Sequence, residues 1–178
     1  MTREQFVGNH SFWDSYKPLL WEALQNTDGD VVELGMGDGS TEKLHNYCKE
    51  NNRKLFSYES NLEWYKKFEK FRTYAKREDH FHEVEYVGDN WEVFQERHRE
   101  PIGVLFSDEA PGHMRKYNIS MYATLAKVIV VHDADESTDH GYRLSWVKPL
   151  FKYHALHEFP GASTAVFSNF IDVSAWKI

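Results

Sequence analysis

Five short apolar runs recur along the chain, each closed by glycine or an acidic residue: "VVELG" (31–35), "KLFSYE" (54–59), "HEVEYVG" (82–88), "IGVLFSD" (102–108) and "KVIVVHD" (127–133). Their length and their content of β-branched and aromatic residues predict strands. Between them, "STEKLHNYCKENN", "NLEWYKKFEKFRTYAKR", "NWEVFQERHRE" and "HMRKYNISMYATLA" carry apolar residues at helical spacing. Strand and helix therefore alternate, which predicts an α/β fold with a parallel sheet covered by helices on both faces. Ahead of the first strand, "SFWDSYKPLLWEALQNT" predicts a further helix, with Ser11 or Asp14 as its N-cap. At the far end, "KYHALHEF" and "STAVFSNFIDV" are both strand-like and only "PGA" separates them, so an antiparallel hairpin is expected.

The 178 residues contain no repeat and no Pro/Gly/Ser-rich linker. One domain is expected, with 1–28 as an N-terminal helical cap and 29–178 as the core. Lys and Arg number 21 against 28 Asp and Glu, and the net charge of -7 opposes binding to nucleic-acid phosphates. The basic stretch "KKFEKFRTYAKR" reads as the solvated face of an amphipathic helix. Cys48 is the only cysteine and has no thiol partner for a disulfide or a metal site, which suits a reducing compartment. The start "MTREQFVGNHSFW" has no signal-peptide core, and "VIVV" is far short of the ~20 apolar residues that span a bilayer. A cytoplasmic protein with no membrane partner is expected.

Gly35, Gly37 and Gly39 follow the first strand directly. In an open parallel sheet this turn faces the crevice where ligands sit, and residues without a Cβ let a ligand approach the main chain. The following helix, from Ser40 and Thr41, offers first-turn amides to a carboxylate or other polar group. The spacing departs from the G-x-G-x-x-G dinucleotide fingerprint, since the third glycine comes one place early. It also lacks the lysine of a phosphate-binding Walker loop.

With Glu33 two places before the first glycine, "VELGMGDGS" resembles the E/D-x-G-x-G-x-G signature of class I S-adenosylmethionine (SAM) dependent methyltransferases. Further along, "LFSYES" resembles the family's second motif, "YVGDNW" its third and "VLFSDEAP" its fourth, while the terminal hairpin is similar to the family's reversed seventh strand. The resemblance runs from residue 31 onward and implies a Rossmann-like three-layer sandwich around a mainly parallel seven-stranded sheet. It also implies SAM as cofactor, held by Glu33 and the loop Gly35, Met36, Gly37, Asp38, Gly39, Ser40 and Thr41. The second motif assigns Glu59, with Ser60 beside it, to the ribose hydroxyls, where a carboxylate accepts two charge-assisted hydrogen bonds. The third assigns Asp89 and Asn90 to the adenine, with Trp91 as a stacking wall, and the fourth places Asp108 near the transferred methyl.

The ends of the fourth and fifth strands, "SDEAPGHMRKY" and "VVHDADES", are where an acceptor's proton would be removed. They resemble small-molecule O-methyltransferases whose fourth-strand loop carries an acid followed by His and Tyr and whose fifth strand ends in His-Asp, here Asp108, His113 and Tyr117, then His132 and Asp133. That subgroup's paired glycines before the fifth strand are replaced here by "LAKVIVV". Two roles stand open for the catalytic candidates Asp108, His132 and Asp133. His132 could act as general base, since imidazole ordinarily titrates near ~6.5. Alternatively Asp108 and Asp133, with Asp135, could hold a divalent metal such as Mg²⁺.

The pairs His80/His82 and His154/His157 complete no metal site by spacing and default to the surface. His10, Phe12, Trp13 and Tyr16 are candidates for a lid over the acceptor. The expected function is methyl transfer from SAM to an oxygen of a small-molecule acceptor. Its rivals are aminopropyl transfer from decarboxylated SAM, and a protein that binds or consumes SAM without methyl transfer. The sheet edge at the hairpin is the candidate contact for a homodimer.

Overall fold

The computed structural model describes residues 1–8, 12–73, 80–135 and 139–176. In chain order the elements are α1 (Arg3–Val7), α2 (Lys17–Gln25), β1 (Val31–Leu34), α3 (Thr41–Glu50), β2 (Leu55–Glu59), α4 (Leu62–Phe68), β3 (His82–Tyr86), α5 (Glu92–Arg97), β4 (Ile102–Ser107), α6 (Arg115–Tyr122), β5 (Ala126–Val131), α7 (Asp139–Tyr142), α8 (Leu144–Val147), β6 (Tyr153–His157) and β7 (Thr164–Ser168). The strands form one seven-stranded sheet in the order β3-β2-β1-β4-β5-β7-β6. The first five run parallel, and β7 is antiparallel to both β5 and β6. This is the expected α/β sandwich with its reversed hairpin.

β1 is buried along its whole length, so both of its faces must be covered. Val31 belongs to the core shared with α1, α2 and α3, whereas Val32 and Leu34 belong to the core shared with α5, α6 and α8. Strand alternation then puts Glu33 on the α3 side, beneath the glycine loop. The parallel register sets Glu33 beside Ser57 of β2 and Phe106 of β4.

Sequence and structure differ at several helix ends. α2 starts at Lys17 with Pro18 in its first turn and has no side-chain N-cap. Asp14 instead pairs with Lys17 at 2.7 Å, and Ser11 lies outside the described residues. Seven of the nine α2 residues are buried, and the helix packs on β4 and β5 as part of the helical layer. The segment before it and its first residue, Lys17, reach the cavity at the carboxyl edge of the sheet. The short helix α1 was not expected, although "TREQ" carries a capping box in which Gln5 N–H donates to Thr2 Oγ1 and Thr2 N–H to Gln5 Oε1. The helix expected over 61–77 is cut to α4 and a 3₁₀ turn, Glu69–Phe71. Its residues 74–77 lie outside the described residues. No helix among the described residues is long and apolar enough to cross a membrane.

Candidate active site

The glycine loop leaves β1 through Gly35 at φ 82°, and a Cβ there would sit 2.5 Å from the carbonyl oxygen of Asp108. A Cβ on Gly39 would meet side-chain ends rather than backbone, 2.4 Å from Tyr16 Oη and 2.7 Å from Asp14 Oδ1. Gly37 meets nothing closer than Ser40 Oγ at 3.5 Å. Two of the three glycines therefore admit other parts of this chain, and Gly37 alone keeps its face open. The first helical amides are also engaged, because Ser40 N–H and Thr41 N–H both donate to Gly37 O, at 3.3 and 3.1 Å.

Glu33 lies under this loop, fully buried and off the cleft wall. Its carboxylate accepts from Ser40 Oγ (2.6 Å), Thr41 Oγ1 (3.0 Å) and Ser57 Oγ (2.6 Å). Burial pushes its pKa up to about 7 against the pull of those hydroxyls. Thr41 Oγ1 in turn accepts the Gly37 amide at 3.0 Å, so the carboxylate is wired to the loop's open residue.

Glu59, at the end of β2, joins the loop from the other side. Met36 N–H donates to its Oε2 at 2.8 Å and Asn61 N–H to its Oε1 at 2.6 Å. Each oxygen keeps a further lone pair, and the side chain borders the same cleft as the loop, a cavity of about 760 Å³. Burial raises the Glu59 pKa, backbone amides oppose that, and the Asp108 charge adds to it. A diol-bearing ligand is thus matched by an anchored carboxylate on an open cavity beside Gly37.

The opposite wall comes from β4 and β5. His132 Nδ1 lies 3.3 Å from Asp108 Oδ1 and 3.7 Å from Asp133 Oδ1. The imidazole is only 5% exposed, and its Nε2 has no hydrogen-bond partner. Tyr16 from the N-terminal segment stands edge-on to it at 4.9 Å, itself buried. Trp13, 74% exposed, also borders the cavity. His10 lies outside the described residues, and Phe12 stands in the short 3₁₀ turn before Tyr16.

Arg115 and Glu109, which the sequence reading passed over, hold this wall in place. The Arg115 guanidinium donates to His132 O (2.6 Å), Glu109 O (3.0 Å) and Asp108 Oδ1 (3.2 Å), joining the ends of both strands. Glu109 is fully buried and accepts from Ser107 Oγ at 2.7 Å and Asn118 Nδ2 at 3.0 Å. By contrast, His113 and Tyr117, expected beside Asp108, are both exposed, because α6 begins at Arg115 and turns that side chain inward instead. The signal was a cation inside "GHMRKYN", which spacing alone could not orient.

Asp108, His132 and Asp133 bring one donor atom each within 4.8 Å of one another. The set fits Mg²⁺ poorly: one donor is an imidazole, and the Arg115 guanidinium already compensates Asp108. Asp135 is spent on Ser163, whose N–H and Oγ it accepts at 3.0 and 2.7 Å. Burial raises the Asp133 pKa.

Asp89 and Asn90 are exposed and border a separate cleft of about 1010 Å³ with Met114 and Tyr117, while Trp91 is buried beneath them. Ser60 Oγ donates to Ala110 O at 2.7 Å, tying the β2 end to the β4 loop. Asp38 pairs with Lys67 at 2.6 Å. His82 is not at the surface: it is fully buried against Ser57 and His45, and burial lowers its pKa to about 3. His80 is half-buried and bonds Thr73 O at 2.8 Å.

No protein-family profile and no curated protein sequence matches the chain. Solved structures do. An rRNA methylase from Streptococcus thermophilus superposes with a TM-score of 0.63 at 13% identity, over 88% of this chain and 97% of that one. An O-methyltransferase from Bacillus cereus in complex with SAH gives 0.60 at 11% identity, over 90% and 82%. The spermidine synthase from Thermotoga maritima gives 0.58 at 19% identity, over 96% of this chain but 60% of that one. Strand order, reversed hairpin and these likenesses agree, and the chain has the class I S-adenosylmethionine-dependent methyltransferase fold.

Proposed function

We propose that the protein transfers a methyl group from SAM to an oxygen of a small-molecule acceptor, with His132 as general base. The observation that carries this reading is the partnerless Nε2 of a buried His132 on the wall of the glycine-loop cavity. When bound, SAM supplies a methyl group on a positively charged sulfur. Glu59 takes the ribose hydroxyls with the lone pairs left free by Met36 and Asn61, and Gly37 offers the open main chain. Asp89 and Asn90 receive the adenine end, and Glu33, Ser40 and Thr41 hold the loop from below.

Asp108 accepts the Nδ1 proton of His132 and so leaves Nε2, enclosed and without a partner, as the ring's proton-accepting atom. Nε2 removes the acceptor's hydroxyl proton as its oxygen becomes nucleophilic, and Asp108 with Asp133 offsets the imidazolium charge. Tyr16 and Trp13 cover this end of the cavity and exclude water, which suits a small acceptor better than a polynucleotide on a chain of charge -7.

Calorimetry with SAM and with its demethylated product S-adenosylhomocysteine tests the cofactor. Binding at micromolar level is expected, and no heat with either ligand would remove the proposal. A hydroxylated acceptor panel tests the chemistry, with turnover expected for the wild-type chain and not for His132→Ala. One feature favours a second reading. Asp14, Asp108 and Asp133 border the cavity, the first two already paired with Lys17 and Arg115, and carboxylates also suit an ammonium acceptor. Incubation with decarboxylated SAM and a diamine would reveal aminopropyl transfer in place of methylation.

A further inference from the structure

Below the loop runs a polar row that the chemistry above does not use. Ser57 Oγ stands 2.6 Å from Glu33 Oε2 and 2.9 Å from His82 Nε2, and His82 Nδ1 stands 2.9 Å from His45 Nδ1. Donor counting fixes every role. With Glu33 ionised, Ser57 spends its one proton on the carboxylate and accepts from His82 Nε2–H. The bare His82 Nδ1 then accepts from His45 Nδ1–H. The row is equally complete when every bond is reversed, with a protonated Glu33 donating to Ser57, Ser57 to His82, and His82 to His45.

We propose that this row is a proton path from half-buried His45 on α3 to the underside of the glycine loop, with His82 a positioning residue that sets the charge of Glu33 and thereby the loop's grip on its ligand. The ligand, an adenosyl amino acid, is taken from the proposed function. The transfer balances: a solvent proton adds at His45 Nε2, and the His45 Nδ1 proton passes to His82 Nδ1. The His82 Nε2 proton passes to Ser57, and the Ser57 proton passes to Glu33 Oε2. Both imidazoles end neutral, and burial keeps His82 from holding the extra proton itself.

A protonated Glu33 no longer offers Ser40 and Thr41 a charged acceptor, so both bonds weaken, and Thr41 in turn holds the Gly37 amide. The negative charge under a cation-bearing ligand is lost as well. The titratable groups facing Glu33 are Glu59 on β2, Tyr16 before α2 and Cys48 on α3, with His82 on β3 reaching it through Ser57. Glu42 and Lys49 flank His45 with opposite signs. Among the described residues, none of the groups facing Glu33 is a resident cation.

The test titrates the full chain with S-adenosylhomocysteine by calorimetry from acid to alkaline pH, alongside infrared detection of a buried protonated carboxyl without ligand. In the wild type, affinity should rise up to about tenfold per pH unit below neutrality and then level off, with one proton released on binding at acid pH. The carboxyl band should fade over the same range and be missing in Glu33→Gln. In His82→Phe, Ser57 cannot pass its proton on, so both profiles should shift to lower pH. His82→Gln, which can accept or donate, should restore part of the shift. A wild-type profile in His82→Phe, or affinity independent of pH, overturns the proposal. A band that shifts in His82→Phe while no ligand binds at any pH upholds the coupling of His82 to Glu33 and removes only the ligand reading.

Discussion

Under the glycine loop, Glu33 is buried with three hydroxyl donors on its carboxylate; above it, His132 is almost as deeply buried with Nε2 unpaired. Both sit at or near the carboxyl ends of central strands. A buried polar group without a partner costs roughly 1–3 kcal/mol, so a fold tolerates one where a ligand completes it. Saturation suits the underside to supporting the loop, and the unpaired Nε2 is the group to which the proposed chemistry is assigned. Glu59 stands between the two, anchored by backbone amides yet open to the cavity.

The comparison breaks most decisively at His132. His132→Ala should lower turnover by roughly 10²–10⁴-fold while S-adenosylhomocysteine affinity stays within a few-fold. An equal loss of affinity would make His132 a support like Glu33. Next, Glu59→Ala should weaken S-adenosylhomocysteine binding by roughly 100-fold by calorimetry, as expected for two charge-assisted hydrogen bonds.

The underside predicts a pH effect on stability. Folding raises the Glu33 pKa from 4.5 to about 7, so the folded chain binds this proton more tightly than the unfolded chain. The associated stability is fully present below the unfolded value and is lost as pH rises through neutrality. Urea unfolding should show this part of the stability falling by about 3 kcal/mol between acid and neutral pH. Glu33→Gln should flatten that slope.

Smaller effects sharpen the boundary. Gly39→Ala places a Cβ against Tyr16 Oη and should cost about 1–3 kcal/mol in thermal unfolding, with Tyr16 displaced from His132. Asp89→Ala, at an exposed position in the separate cleft, should change S-adenosylhomocysteine affinity by less than about tenfold. No change at all would take Asp89 out of the proposed adenine contact.

Much of the fold was legible because it depends on near neighbours in the chain. The strands over 31–34, 55–59 and 102–107 followed from apolar runs with punctuating turns, and the reversed hairpin from the short "PGA" link. The placement of Glu59 beside the glycine loop was legible too, since one helical crossover brings two such strand ends together. Helix ends were less so: Asp14 looked like a cap, but Lys17 was close enough to claim it. Arg115 was invisible as a clamp, because its three acceptors lie on the loop after β4 and the end of β5.

Taken alone, the sequence determined the alternation of strands and helices, the turn that needs glycine, and the carboxylates that close successive strands, since all of these follow from periodicity and local sterics. Tertiary structure alone decided which polar groups are saturated and which are left open. Asp108 meets His132 across 24 residues and Ser57 meets His82 across 25. Those meetings depend on sheet register and on the helices laid over each face, and no local pattern encodes them. The same residue type, histidine, is bonded through both ring nitrogens beneath the loop and through Nδ1 alone above it, because packing sets which partners each ring meets.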